Sequence, residues 1–256
     1  MVGCVFMKAL VTGASSGMGY DMSKYLSKLG YDIIAVARDV KGLERLKNEC
    51  STNVDIISMD LSDLENCNKL YESLKNEDVD IVVNDAGFEI QGEFSKINLN
   101  KELSLINLNI VAVHILTKLF LIKMKEKNKG YILNVASMGA YTPGPLMSAY
   151  YASKAYVLSL TLGINKELEK SKSNVHISAL CPGPVKTNFD NVANVHFKNK
   201  YLNSEFVAKY AINKLLKNKT VIIPGMYNKI SRFLLRFLSD KTVAKLTYHI
   251  NNNKNK

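Results

Sequence analysis

The segment MKALVTGASSGMG, residues 7–19, carries the strongest fold signal in the chain. Residues 7–11 form a short apolar run typical of a buried strand, and a helical pattern begins directly after TGASSGMG. Glycine permits a tight turn and a close approach of the backbone to a ligand, and a helix N-terminus offers free N–H groups to a diphosphate. The spacing is GxxxGxG with no GK[ST], which excludes the P-loop of nucleotide triphosphatases. The segment therefore predicts a strand, a phosphate-binding turn and a helix.

The rest of the chain repeats this alternation of strand and helix. Further apolar runs lie at 31–37, 54–59, 79–83, 131–136, 175–180 and 220–223. Helical patterns separate them, and the longest covers 101–127. Continuous apolar strands indicate a parallel sheet that is covered on both faces. We therefore expect an α/β fold with a doubly wound parallel sheet of about seven strands, whose ligands bind outside the carboxyl ends of the strands.

Composition is that of an ordinary globular protein, with 256 residues, 47% hydrophobic and 22% charged. The net charge is +11, but the lysines are scattered apart from 123–129 and the C-terminal tail, so we expect no nucleic-acid partner. The four cysteines form no CxxC pair and no histidine clusters with them, so we expect no metal site. No secretory signal is visible, and we expect no apolar run to reach the ~20 residues that span a bilayer. These features favour a cytoplasmic protein.

Residues 137–154 read SMGAYTPGPLMSAYYASK and place Tyr150 four residues before Lys154. On the helix predicted here, residues at i and i+4 share a face. A lysine ammonium beside a phenol stabilises the phenolate, which lowers the tyrosine pKa toward the range of a general acid or base. Ser137 precedes the Gly/Pro-rich loop of this segment, and its hydroxyl can hydrogen-bond to the same substrate oxygen as Tyr150. Taken alone, the YxxxK pattern is a weak signal, and a surface pair on a helix is the more common explanation of it.

The end of the second strand bears on the choice of nucleotide. A site selective for NAD places a carboxylate here to hold the ribose 2′-hydroxyl, whereas an arginine accommodates the 2′-phosphate of NADP. Arg38 follows the strand directly, and Asp39 lies one position further on. Arg38 favours NADP, and Asp39 keeps NAD as the weaker alternative.

Together these motifs resemble the classical short-chain dehydrogenase/reductase family. The resemblance covers about residues 7–225. One departure is Asp85, because the family has a second asparagine at this position of its NNAG motif. The matching residues are TGASSGMG at 12–19, Asp60, NDAG at 84–87, Asn109, Ser137, Tyr150, Lys154 and PGPVKT at 182–187.

The resemblance implies a Rossmann-type fold and an NADP-dependent oxidoreductase that acts on a carbonyl or alcohol group. It implies that Ser137 holds the substrate oxygen and that Tyr150 passes the proton. Lys154 would lower the pKa of Tyr150 and hold the nicotinamide ribose, and Asn109 would order a water that links Lys154 to solvent. The cofactor-binding residues it implies are Gly13, Ser15, Ser16, Gly17, Met18, Gly19, Arg38, Asp60, Leu61, Asn84, Ala86, Gly87, Tyr150, Lys154, Pro182, Gly183, Val185 and Thr187.

The resemblance also implies a homodimer or homotetramer formed through the long helices at about 101–127 and 150–170. It places a substrate lid at 188–203, where Phe189, Phe197 and Tyr201 suggest a substrate with an apolar part. The substrate itself and the physiological direction stay open. A catalytically silent NADP-binding regulatory or scaffold protein is the alternative function.

We divide the chain into a catalytic domain at 1–225 and an amphipathic extension of it at 226–256. Apolar residues repeat at helical spacing through Leu238, with Arg232 and Arg236 between them, and resume after Asp240. Three interpretations remain open: a helix over the substrate cleft or a partner subunit, a peripheral membrane contact, and a disordered tail. The final residues NNNKNK predict disorder.

Overall fold

The computed structural model describes residues 7–186 and 201–252, and a parallel sheet forms the centre of this part of the chain. Its seven strands are β1 (Lys8–Thr12), β2 (Asp32–Ala37), β3 (Val54–Ser58), β4 (Val79–Asn84), β5 (Gly130–Val135), β6 (Val175–Leu180) and, near the end, β9 (Val221–Ile222). Two short strands, β7 (Val185–Lys186) and β8 (Leu202–Asn203), pair with each other.

The strand order across the sheet is β3-β2-β1-β4-β5-β6-β9, with every pair parallel. The predicted doubly wound, Rossmann-type sheet is therefore confirmed. The order reverses between β1 and β4, and a crevice opens at such a switch point outside the carboxyl ends of the strands. The chain thus provides a ligand crevice where the glycine-rich turn follows β1.

Helices cover both faces of the sheet. In the described residues they are α1 (Gly17–Lys28), α2 (Val40–Glu49), α3 (Leu64–Leu74), α4 (Leu99–Ile106), α5 (Val113–Lys127), α6 (Ser148–Lys170), α7 (Ser204–Leu215), α8 (Met226–Leu235) and α9 (Asp240–Asn252). Short 3₁₀ turns lie at Phe94–Lys96 and Met138–Tyr141, and a π-helical turn at Asn107–Ala112 joins α4 to α5.

The apolar runs are continuous because successive strand residues pack into different layers. In β1, Ala9 and Val11 are fully buried in one cluster with Met22 of α1 and Ile212 of α7. Leu10, between them, belongs to a second cluster on the other face, with α3 and α5. The central positions of such a strand must therefore be apolar on both faces, which is the pattern that Ala9, Leu10 and Val11 show.

The long helical pattern at 101–127 forms one continuous helix with the π turn inside it. Leu99–Lys127 is the one helix in the described ranges that is long and apolar enough, by length and composition, to cross a membrane. The expectation that no apolar run reaches this length is therefore wrong. Leu116 and Phe120 of this helix are buried against the sheet, so its apolar character serves the protein core on that face.

The C-terminal segment forms two helices, so the disordered-tail interpretation is wrong for residues 226–252. α8 begins after Gly225, whose φ of +82° suits glycine. α9 packs onto the loop before α6, where Thr247 Oγ1 donates a 2.8 Å hydrogen bond to the carbonyl oxygen of Pro143. Residues 253–256, with the end of the NNNKNK stretch, lie outside the described part of the chain.

Candidate active site

A cavity of about 620 Å³ opens at the carboxyl ends of the strands, beside the switch point between β1 and β4. The turn at 13–18 lines one end of the cavity, and Arg38 and Asp60 lie beside it. Ser137, Tyr150 and Lys154 also line the cavity. Residues that are far apart in the sequence meet here because each follows a parallel strand or starts the helix after one.

The glycine-rich turn adopts backbone conformations that few other residues tolerate. Gly13 has a φ of +72° and Gly17 a φ of +59°. A Cβ atom on Gly13 would also lie 3.0 Å from the backbone nitrogen of Ala86. The turn therefore stays close to the β4 end and keeps the N-terminus of α1 open to the cavity, as a diphosphate site requires.

Gly19 does not line the cavity, although we predicted it among the cofactor residues. It is buried in α1, and a Cβ atom there would lie 2.6 Å from the carbonyl oxygen of Gly13 and 2.8 Å from Oδ2 of Asp85. Its role in the structure is to let α1 pack tightly on the turn.

Arg38 and Asp60 form the end of the cavity that would face an adenosine ribose. Nη1 of Arg38 lies 3.4 Å from Oδ2 of Asp60, and the Arg38 side chain is 70% exposed. Burial alone would raise the pKa of Asp60, but hydrogen bonds from Ser62 and the charge of Arg38 hold this pKa below its usual range. Asp39 also lines this end of the cavity. The arginine that would favour NADP and the carboxylate that would favour NAD are therefore both present.

Tyr150 and Lys154 lie one turn apart on α6, as predicted, and both reach the cavity. Nζ of Lys154 lies 5.7 Å from the centroid of the Tyr150 ring and donates a 2.9 Å hydrogen bond to the carbonyl oxygen of Val135. Burial lowers the pKa of Lys154 to about 8, against the opposing charges of Asp85 and Glu89. The ammonium is therefore held in place by the end of β5.

The pKa of Tyr150 moves in the direction opposite to our expectation. Burial raises it, and the negative charge of Glu89 raises it further, whereas a hydrogen bond with Ser137 lowers it. Ser137 Oγ also accepts a 3.0 Å hydrogen bond from the backbone nitrogen of Gly139. In the protein alone the phenol is thus strongly held in its protonated form, which is the form of a proton donor.

Asn109 stands behind the cavity wall, in the π-helical turn. It is fully buried, and its side-chain amide bonds to both backbone groups of Phe88, accepting at 3.0 Å and donating at 2.8 Å. A Cβ atom on Gly87 would lie 2.9 Å from Oδ1 of Asn109 and 3.6 Å from Nζ of Lys154. The structure therefore brings Asn109 close to Lys154 but does not place it on the cavity surface.

Asn84, which we also predicted among the cofactor residues, is not among the residues that line the cavity. Its Nδ2 donates to Oδ1 of Asn134 at 2.8 Å and to Oγ1 of Thr117 at 3.2 Å, and Nδ2 of Asn134 donates to Thr161 at 3.0 Å. These buried polar groups link β4, α5, β5 and α6. A buried amide must find partners, and the partners of Asn84 lie inside the fold.

The remaining predicted residues fall in two groups. Thr187 and the lid residues 188–200 lie outside the described part of the chain. Those that line the cavity are Gly13, Ser15, Ser16, Gly17, Met18, Arg38, Asp60, Leu61, Ala86, Gly87, Pro182, Gly183 and Val185.

Several cavity residues were absent from our prediction, among them Asp85, Glu89 and Tyr151. Asp85 lines the cavity, and burial raises its pKa to about 7, although the charge of Lys154 opposes this. The departure from the NNAG motif is the sequence signal that singles it out. Glu89 also lines the cavity and has no comparable signal. Tyr151, which we interpreted as a packing residue, lies at the cavity and donates a 3.2 Å hydrogen bond to Oδ1 of Asn251 in α9.

Comparison with known proteins gives concordant matches. The family model described as short chain dehydrogenase matches residues 7–196. The chain is 34% identical over 188 residues to estradiol 17-beta-dehydrogenase 2 of Rattus norvegicus, covering 70% of this chain and 48% of that protein. The chain thus spans about half the length of this relative.

Solved structures of the same kind superpose closely. A short-chain dehydrogenase from Sphingobium yanoikuyae in complex with NADPH has a TM-score of 0.80 and 25% identity, over 91% of this chain and 97% of that one. A short-chain dehydrogenase/reductase from Burkholderia phymatum in complex with NAD has a TM-score of 0.81 and 22% identity, over 91% and 94%. The second likeness is one of fold alone.

Proposed function

Because the chain belongs to the short-chain dehydrogenase/reductase family, we propose that it transfers hydride between NADP(H) and the carbonyl or alcohol group of a small molecule with an apolar part. The observation that carries the proposal is the convergence of Ser137, Tyr150 and Lys154 on a cavity that also contains the glycine-rich turn. A module that only bound nucleotide would have no need of a serine and a protonated tyrosine at this place.

The residues present fit a dinucleotide. The positive φ angles of Gly13 and Gly17 open a backbone cradle at the N-terminus of α1, and a Cβ atom on Gly13 would crowd Ala86. The turn and Arg38 would hold the diphosphate and the adenosine ribose, and Lys154 the nicotinamide ribose. The bound cofactor would supply the hydride, and the protein supplies orientation and charge.

The proton chemistry follows from the positions of three side chains. As negative charge grows on the substrate oxygen during reduction, the hydroxyl groups of Ser137 and Tyr150 donate hydrogen bonds to it, and Tyr150 gives up its proton. The Lys154 side chain is mostly charged at neutral pH, and its charge stabilises the phenolate that Tyr150 becomes when it has given up its proton. Asn109 positions the backbone of Phe88 beside this group.

Arg38 supports NADP as the preferred nucleotide. Its guanidinium is largely exposed at the rim of the cavity and offers a fork of donors to a phosphate. The solved structures of similar fold include complexes with NADPH and with NAD. Asp39 lines the same end of the cavity as Arg38, and NAD is therefore the alternative nucleotide that an experiment must test.

An apolar part of the substrate is supported by the cavity wall and by a relative. Phe88, Leu108, Met138 and Tyr151 all line the cavity. The rat relative is named for estradiol, a largely apolar ring system with two hydroxyl groups. We infer a bulky, apolar ketone or secondary alcohol as the substrate class.

We test the proposal by nicotinamide fluorescence with NADPH and NADH, followed by oxidation of NADPH against steroid ketones, bulky aryl ketones and short aldehydes. The proposal predicts tighter binding of NADPH than of NADH and turnover of the bulky ketones. Binding without turnover of any panel member would favour the silent regulatory protein. Failure to bind either nucleotide would overturn the proposal.

A further inference from the structure

Large apolar side chains are exposed along α8, along α9 and in the turn between them, and we call this set of side chains the C-terminal patch. Tyr227 is 77% exposed, Phe237 72% and Phe233 57%. Leu234 and Ile250 are each more than half exposed as well. Such a concentration of exposed large apolar side chains in one segment is unusual for a protein that meets only water, and it marks an interaction site.

The exposure follows from how the two helices are anchored. The buried side chain of Asn228 donates a 2.7 Å hydrogen bond to the carbonyl oxygen of Pro224, and the Arg232 guanidinium lies 4.8 Å from the centroid of the Tyr141 ring. In α9, Thr247 and Asn251 bond to the loop before α6. These four polar side chains thus face the protein, and the large apolar side chains of the patch face outward.

Basic residues surround the patch. Residues 226–252 contain five lysine and arginine residues and one acidic residue, Asp240. Lys229, Arg236, Lys241 and Lys245 are exposed. An apolar helical surface flanked by basic side chains is the pattern of helices that lie in the interface of an anionic membrane.

The charge distribution discriminates between two occupants of the patch. A second copy of the chain would bind it across a two-fold axis, so that the same patch stands on both sides of the contact. That arrangement would bring two sets of uncompensated positive charges together, which is unfavourable. A lipid surface with negative headgroups complements the same charges and accepts the aromatic side chains between them.

We propose that the C-terminal patch binds an anionic membrane surface, with α8 and α9 lying in the plane of the interface. The contact would lie next to the cavity, since a Cβ atom on Gly183 at the cavity wall would be 2.6 Å from Asn228 of α8. An apolar substrate that is concentrated in the bilayer would then leave the bilayer close to the cavity. The binding itself does not depend on the proposed function.

Co-sedimentation of the full chain with vesicles tests the proposal. The probes are phosphatidylcholine vesicles with and without phosphatidylserine. Phe233→Ser/Phe237→Ser removes the apolar anchor, and we expect it to weaken binding at least about tenfold. Arg236→Glu/Lys245→Glu reverses the charge, and at about fivefold per charge removed it should also weaken binding at least about tenfold. Raising the salt concentration should also weaken the binding of the wild type to phosphatidylserine vesicles, because salt screens the attraction between the charges.

Matched controls lie on other surfaces. Ile122→Ser removes a large apolar side chain that is 46% exposed on α5. Its neighbour Lys123 bonds to the loop before β4, at the amino ends of the strands. Lys69→Glu/Lys166→Glu reverses two exposed charges on α3 and α6. Both controls should bind vesicles as the wild type does, and circular dichroism should show all variants folded.

Three outcomes overturn the proposal. The first is a wild type that does not sediment with phosphatidylserine vesicles, and the second is a Phe233→Ser/Phe237→Ser variant that binds them as well as the wild type. The third is a wild-type oligomer that dissociates on the same substitution without any vesicle binding, which would assign the patch to a second copy. NADPH binding by every variant shows that a failure here leaves the proposed function untouched.

Discussion

Nζ of Lys154 donates a 2.9 Å hydrogen bond to the carbonyl oxygen of Val135, the last residue of β5. The bond fixes a charged group of α6 to the carboxyl end of a central strand. The same nitrogen lies 5.7 Å from the centroid of the Tyr150 ring, so the strand sets where the charge stands relative to the phenol. The geometry of the proposed proton transfer therefore depends on the sheet as well as on the helix.

Reduction should slow as the pH rises through about 8. Burial lowers the pKa of Lys154 to about 8, so its charge is present below this pH and is lost above it, together with its stabilisation of the Tyr150 phenolate. We expect kcat/KM for ketone reduction to be level near pH 6.5 and to fall through about pH 8, because kcat/KM reports the groups of the free enzyme.

The Lys154→Arg variant is the control for this pH profile. Arginine stays charged beyond about pH 12, so its residual activity should lack the step near pH 8. A wild-type profile that remains level up to about pH 10 would contradict the role given to Lys154.

Asp85→Asn should stabilise the protein above neutral pH. Burial raises the pKa of the Asp85 carboxyl to about 7, and Oδ1 of Asp85 is buried without a hydrogen-bond partner in the described structure. Since the folded pKa lies above the unfolded value of about 3.9, the wild type loses stability as the pH rises from about 4 to about 7 and does not regain it. Asparagine cannot ionise, so the difference in free energy of unfolding should grow over this window.

We expect that difference to reach about 1–4 kcal/mol above pH 7, at 1.36 kcal/mol per pKa unit. Urea unfolding at several pH values measures it, and Asp55→Asn, at an exposed position of β3, is the control. An Asp85→Asn protein that is less stable than the wild type at every pH would refute the assignment.

Arg38→Ala should change the choice of nucleotide. If Arg38 holds the 2′-phosphate, its loss should raise the KM for NADPH at least about tenfold and leave the KM for NADH nearly unchanged, because a charge-assisted bond to the phosphate is lost. Asp39→Ala is the companion variant, and its main effect should fall on NADH. An unchanged KM for NADPH in Arg38→Ala would remove the basis for NADP preference.

Asn251→Ala should weaken the packing of α9 on α6 and on the loop before it. The fully buried Asn251 side chain accepts from Tyr151 at 3.2 Å and donates to the carbonyl oxygen of Pro145 at 2.9 Å. Removing it leaves these groups unpaired and should cost about 1–3 kcal/mol of unfolding free energy. The exposed neighbour supplies the control, Asn252→Ala. Equal stability of the two variants in urea unfolding would show that the contact does not hold α9 in place.

The sheet and the positions of the main motifs could be predicted because each rests on a local pattern. The apolar run of β1 and the glycine-rich turn after it predict a strand, a phosphate-binding turn and a helix. The i, i+4 spacing of Tyr150 and Lys154 places both residues on one face of α6. Parallel pairing then gathers the strand ends at one edge. Physical rules of short range therefore sufficed for the fold, for the glycine-rich turn and for the pairing of Tyr150 with Lys154, whereas the other predicted cavity residues came from the resemblance to the family.

Other features depend on contacts that no local pattern encodes. The π turn that buries Asn109 needs one extra residue per turn, and the sequence shows an uninterrupted helical pattern there. The bond between Tyr151 and Asn251 spans 100 residues. The raised pKa of Tyr150 follows from burial and from Glu89, so a prediction from the spacing to Lys154 alone had the wrong sign.

The most direct test of the central claim compares two adjacent tyrosines, since Tyr150 carries the proposed proton transfer and Tyr151 does not. Nicotinamide fluorescence should show that Tyr150→Phe binds NADPH like the wild type, while oxidation of NADPH with the best ketone falls at least about 10²-fold, the lower range of general acid catalysis. Tyr151→Phe should keep turnover within about tenfold of the wild type. Full turnover by Tyr150→Phe would contradict the account.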